Sequence, residues 1–327
     1  MKNLEKDMIK RASELLGGGQ VDRVLGWKKG EFYSDPSPAV FNSADELKDF
    51  VYNAFCGANL SKYLIELNKD GKKTAVFLKP CDGYSLNQLL KENRVKRENV
   101  YVIAIGCQGK LDGYKISDLG VDGVLDADYS DDKVVISALY GEKTIDKKDV
   151  LLEKCLTCKG KTPVIFDEEL GTELSKDTTV YERFSKVSEI ESMTEEERFA
   201  FWRSELSKCI RCNACRNVCP ACSCVKCVFD NGYSGISAKA NDTDFEEKLY
   251  HIIRAFHVAG RCTDCGECSR VCPQRIPLHL INRKFIKDAN ELYGEFQAGE
   301  SSEGKTPLTS YSTDDAEPNE AVTRGDK

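Results

Sequence analysis

The chain has 327 residues, enough for two domains, with a formal net charge of −7 and a pI near 5.3. That acidity argues against nucleic acid or an anionic membrane as its main partner. It holds 16 cysteines and only three histidines (His251, His257 and His279), which nearly excludes histidine-rich metal sites.

Met1–Asp7 lacks the apolar core of a secretory signal. The longest apolar run, near Val100–Cys107, is too short to span a bilayer. A soluble, cytoplasmic protein with no membrane insertion is therefore expected. In a reducing cytosol, cysteines in this number read as metal thiolates rather than disulfides. Exposed thiols oxidise, so an anaerobic setting fits.

The chain divides into four parts: an α/β domain over 1–170, a charged linker over 171–194, a helical cysteine-rich domain over 195–295, and a tail over 296–327. From Gly299 the tail has almost no large apolar residues, and disorder is expected there. In the first part, Ser43 and Glu46 resemble a capping box, and Leu47, Phe50, Val51 and Ala54 follow at helical spacing. Leu60, Leu64 and Leu67 continue that face, which suggests one helix over Asp45–Leu67 interrupted near Gly57. Thr74–Leu78 and Val100–Ile105 lack polar alternation and read as parallel strands covered on both faces. Ser85–Glu92 reads as the crossover helix between them. Cys81 and Cys107 follow the two strands, so both thiols should emerge at the carboxyl edge of the sheet, where open α/β sheets bind ligands.

In the cysteine-rich part, Thr194 with Glu197 and Thr243 with Glu246 resemble capping boxes. The first helix carries Phe199, Phe201, Trp202 and Leu206. The second carries a stripe of Phe245, Leu249, Ile252, Ile253 and Phe256 and ends near Gly260. Pro277 opens a third, with Leu278, Ile281 and Phe285 on one face. These stripes are expected to be core.

Two motifs of identical spacing follow: Cys209-x-x-Cys212-x-x-Cys215-x-x-x-Cys219-Pro220 and Cys262-x-x-Cys265-x-x-Cys268-x-x-x-Cys272-Pro273. In two-cluster ferredoxins, three close cysteines hold one cubane and the fourth, before proline, holds the other. One [4Fe–4S] cluster is thus assigned to Cys209, Cys212, Cys215 and Cys272. The second is assigned to Cys262, Cys265, Cys268 and Cys219. Structural zinc sites use two separated pairs instead. The long stretch between the motifs suits a helical ferredoxin-type module. Lys208, Arg211, Arg216, Arg261 and Arg270 flank the cysteines and could offset cluster charge.

Cys81, Cys107, Cys155 and Cys158 supply four further thiols, enough for a third cluster, although buried inert cysteines would look the same. Cys222, Cys224 and Cys227 crowd one loop; with Cys56 they would make a fourth site, against a small zinc site or free thiols.

Residues from about 20 to 170 resemble the beta-subunit family of coenzyme F420 hydrogenases and dehydrogenases, which includes formate dehydrogenase beta subunits. The resemblance rests on Lys79-Pro80-Cys81-Asp82, Ile105-Gly106-Cys107 and Cys155-Leu156-Thr157-Cys158, then Asp167 and Gly171. It implies a [4Fe–4S] cluster on Cys81, Cys107, Cys155 and Cys158 next to a flavin, FAD. The dicluster segment is also similar to that in the iron–sulfur subunit of anaerobic sulfite reductase. Here it follows the family domain, whereas several members carry theirs before it or lack it.

The expected function is an electron-transfer subunit of an anaerobic oxidoreductase complex. By resemblance, its partners are a formate dehydrogenase, a hydrogenase or a heterodisulfide-reductase-like flavoprotein. Alternatives are a subunit that itself oxidises or reduces F420 or NAD(P)H through FAD, an electron donor like the iron–sulfur subunit of anaerobic sulfite reductase, or a zinc-bearing scaffold. No serine–histidine or paired-carboxylate constellation suggests a catalytic residue.

Overall fold

The computed structural model describes residues 1–231, 244–304 and 306. Five strands form one sheet: β1 (Arg23–Lys28), β2 (Ser37–Phe41), β3 (Thr74–Leu78), β4 (Val100–Ile105) and β8 (Glu168–Leu170). They run in the order β2-β1-β3-β4-β8. β2 is antiparallel to β1, and the other pairings are parallel. β3 and β4 take the bounds read from the sequence, with Thr74 opposite Val100 and Leu78 opposite Ala104. β3 is buried throughout, as a strand covered on both faces must be.

The crossover helix begins earlier than expected, at Pro80, and ends at Lys91. Proline at the first helical position has its φ preset and needs no amide partner there. Cys81 therefore sits in the first turn of this helix. The N-terminal helix Lys2–Gly17 covers the sheet with Leu4, Met8, Ala12 and Leu15.

The single helix expected over Asp45–Leu67 does not form. Ala44–Asp49 is a 3-10 turn, and the Ser43 side chain makes no cap. Glu46 instead accepts from the Asn42 backbone N–H at 2.8 Å. Phe50 then bridges to Lys28 beside β1, and Val51 donates its N–H to the Trp27 carbonyl. Strand pairing outcompetes the helical pattern here because the Phe50 ring fills the hollow over Gly26. A Cβ on Gly26 would lie 2.4 Å from that ring. Cys56 thus lies in irregular chain before the short turns Leu60–Tyr63 and Leu64–Leu67.

A second sheet was not foreseen. β5 (Val124–Ser130), β6 (Lys133–Ala138) and β7 (Gly141–Asp146) form an antiparallel meander. It buries Ala127, Val134, Ile136 and Ile145 against Leu151 and Leu152.

Residues 171–194 do not hang free as a linker. Lys176 donates to the Cys107 carbonyl, Thr178 to the Cys155 carbonyl and Val180 to the Leu156 carbonyl. The helix Ser185–Glu191 packs Val187 and Ile190 against Leu280. Backbone hydrogen bonds leave no apolar signature in a sequence, which is why this strap looked like a linker. The expected tail also starts late. Gln297 is buried, accepts from Lys159 and Arg183, and donates to the Thr263 carbonyl. The remainder of the expected disordered segment, residues 305 and 307–327, lies outside the described residues.

The cysteine-rich part is helical. Thr194 caps the helix Glu195–Ser207: its hydroxyl accepts from the Glu197 N–H, and the Glu197 carboxylate accepts from the Thr194 N–H. Thr194→Ala should loosen the first turn by about 1 kcal/mol, read as faster amide exchange there. The cap expected at Thr243 lies outside the described residues. The helix Asp244–Val258 follows, and Gly260 adopts φ +70° just beyond it. The helix Leu278–Tyr293 follows Pro277.

The helix Asp244–Val258 does not bury the described part of the expected stripe, the Phe245 side chain lying outside the described residues. Leu249, Ile252 and Phe256 are exposed, while Tyr250, His251, Arg254, Ala255 and Val258 are buried. Ile252 instead joins Phe199, Trp202 and Phe285 along an open apolar groove. The helix turns its polar residues inward, toward the cysteine loops.

Candidate metal centres

The two cysteine motifs fold alike. Arg211 and Asp264 stand two residues after the first cysteine of each motif, and Asn213 and Gly266 stand four after it. All four have positive φ, between 55° and 66°. Left-handed residues at matched places curl each loop into a concave cradle. For Arg211 and Asp264 this conformation is costly by itself, so the surroundings must impose it. One helical turn follows each cradle, Ala214–Asn217 and Glu267–Arg270, and delivers Cys219 and Cys272.

Cys209, Cys212, Cys215 and Cys272 line one small cavity together with Tyr250 and His251. Three come from the first motif and one from the second. Conversely, Cys219 packs beside Cys262, and Cys265 and Cys268 lie within electrostatic reach of it. Cys272 of the second motif thus lies with Cys209, Cys212 and Cys215, and Cys219 of the first lies beside Cys262.

Cys81, Cys107, Cys155 and Cys158 line another cavity, at the carboxyl edge of the five-stranded sheet. Lys79, Lys110, Lys154 and Lys159 surround it. Gly160 passes so close that a Cβ would lie 2.4 Å from the Cys81 nitrogen, so glycine alone fits there. Burial pushes the Cys155 thiol up to about 12 and the Cys158 thiol to about 11. Such thiols ionise only when a metal compensates the charge. Cys265 lines this cavity too, so the third set adjoins the second.

Cys222, Cys224 and Cys227 share a cavity of about 330 Å³ with Lys62, His257 and Arg261. Cys56 does not join them. It is fully buried in the core of the first region, with its thiol against Asn53 and the Val51 carbonyl. Burial pushes that thiol up to about 11. The proposed fourfold set is not brought together, because the helix expected to carry Cys56 is replaced by chain pinned beside β1.

The cavities suit anionic clusters. His251 Nδ1 and Nε2, in the first cavity, are buried without hydrogen-bond partners, as is Thr157 Oγ1 in the cavity of Cys81, Cys107, Cys155 and Cys158. Buried polar groups are rarely left so unless something absent satisfies them. Sequence reasoning missed His251 and Arg254. The available signal was two polar residues three apart, on the opposite side of the helix from its apolar stripe.

Most of the flanking cations are already paired: Arg216 with Asp230, Arg261 with Glu92, Arg270 with Glu267 and Lys208 with Glu205. Glu267 also joins the two halves of the chain. It accepts from Lys154 at 2.5 Å and from the Asn59 N–H at 3.2 Å. Asp264 likewise accepts from Arg183 at 2.8 Å and from Arg283 at 3.0 Å.

Residues 205–276 match the family model described as a 4Fe-4S dicluster domain. The F420-dependent formate dehydrogenase subunit beta of Methanocaldococcus jannaschii is 28% identical over 338 aligned positions, covering 84% of this chain and 86% of that protein. The F420-dependent formate dehydrogenase 1 subunit beta of Methanococcus maripaludis is 26% identical, with the same coverage. The chain is thus similar to F420-dependent formate dehydrogenase beta subunits along most of its length. In this beta-subunit homologue the dicluster domain is fused behind the sheet-bearing region, and the similarity spans both. No helix among the described residues is long and apolar enough to cross a membrane.

Proposed function

We propose that the chain is the iron–sulfur electron-relay subunit of a cytoplasmic, anaerobic oxidoreductase complex, of the kind its formate dehydrogenase relatives are named for. The observation that carries this is the continuity of the thiol sets. Cys265 lines the cavity of Cys81, Cys107, Cys155 and Cys158, Cys219 packs beside Cys262, and Cys272 shares a cavity with Cys209, Cys212 and Cys215. Single electrons could pass from the sheet edge to the helical end without leaving the chain. [4Fe–4S] clusters in these sets would supply one-electron chemistry.

The domain reading is an α/β region over 1–170 and an all-α ferredoxin-type region over 195–295, with 171–194 strapped across both. Cys209, Cys212, Cys215 and Cys272 would hold one cluster, and Cys262, Cys265, Cys268 and Cys219 the second. Cys81, Cys107, Cys155 and Cys158 would hold a third, with lysines supplying countercharge. FAD near the sheet edge, as the family resemblance implies, would split the electron pair of a hydride into two single electrons.

Anaerobic purification with native partners, followed by iron, sulfide and flavin quantitation, tests the reading. Stoichiometric FAD that bleaches with reduced F420 would extend it to direct cofactor chemistry. Zinc without iron would end it. Cys107→Ser should lower iron by about one cubane's worth, roughly four atoms, while sparing the paired clusters. An unchanged iron content would remove the third cluster.

A further inference from the structure

We propose that Arg254 is the internal countercharge of the dicluster module and sets how readily its clusters accept electrons. The proposal rests on the dicluster reading above. Arg254 lies on the inward face of the helix Asp244–Val258 and is only 2% exposed. Its Nε and Nη1 have no hydrogen-bond partner, and no ion pair to it occurs among the described residues. Within electrostatic reach of it are thiols from both motifs and the following loop, Cys215, Cys219, Cys222 and Cys268, and it lines the cavity that holds Cys222.

A guanidinium buried without an anion costs several kcal/mol. Neutral thiols do not offset that cost, whereas thiolates around an anionic cubane do. Arg216, Arg261 and Arg270, which also flank the motifs, face Asp230, Glu92 and Glu267, so their charges are largely neutralised locally. Arg254 keeps its charge for the clusters. Reduction adds one negative charge, which a nearby buried cation stabilises, so its presence raises the potential. Cys215 of the first set and Cys219 and Cys268 of the second all interact with it electrostatically, so it acts on both.

The test uses the full chain, purified anaerobically, with iron and sulfide analysis and redox titration followed by electron paramagnetic resonance. Arg254→Gln should retain wild-type iron, yet the equilibrium constant for one-electron reduction of at least one paired cluster should fall tenfold or more, about 59 mV. Arg254→Lys, which keeps the charge, should stay within about threefold of wild type, or ~28 mV by the same conversion. Unmoved potentials in an iron-replete Gln variant overturn the proposal. So does a Lys variant that keeps its iron yet shifts as far as the Gln variant. If the Gln variant loses iron, the Lys variant decides: full iron with near wild-type potentials supports the role, and iron loss from both makes Arg254 a structural residue. A wild-type chain without paired clusters would instead sink the functional reading itself.

Discussion

Cys272→Ser is expected to strip one of the paired clusters, about four iron atoms, and to unfold much of the helical region with it. Cys272 is buried and shares its cavity with the first motif's three cysteines. Cluster binding would be folding energy for a module held this way, because each cubane, ligated across the motifs as proposed, would tie two distant segments together. The crossing makes a sharper demand. Cys272→Ser and Cys215→Ser lie in different motifs, yet they should erase the same paramagnetic signal. Cys268→Ser should erase the other. If the Cys272 variant instead matched the Cys268 variant, the exchange of fourth ligands would be wrong.

Glu267→Gln is expected to cost about 3–5 kcal/mol, because it leaves two cations around a buried site without their anion. Glu267 is 1% exposed and receives Lys154 from one half of the chain and Arg270 from its own turn. Burial alone opposes its charge, but Arg270 and Lys154 overcome that and hold its carboxyl well below the usual range. Its contribution is therefore complete above the ordinary carboxylate pKa and fades only as pH falls through the depressed one. Denaturant unfolding of the iron-replete protein measures the effect. A loss under about 1 kcal/mol would mean that the joint rests on apolar contact rather than this ion cluster.

The parts legible from sequence are those written in local spacing. Thr74–Leu78 and Val100–Ile105 announced themselves because a strand covered on both faces has no polar alternation. The Thr194 cap was readable because its partner, Glu197, is three residues away. The helix expected across Cys56 failed for the opposite reason: Phe50 and Val51 found better partners at β1, far away in sequence. Pairing of that kind overrides local propensity.

The sequence by itself determined the chemistry, since Cys209–Cys219 and Cys262–Cys272 carry the spacing of two-cluster ferredoxins. Tertiary structure alone decided the surroundings. It turned His251 and Arg254 inward and Ile252 and Phe256 outward, took Cys56 away from the Cys222 loop, and laid residues 171–194 across the sheet-edge cysteines. The physical reason is that ligation depends on short, rigid spacings, whereas burial depends on what a distant segment brings to the same place. An inward face that must meet anionic clusters favours a cation over a leucine.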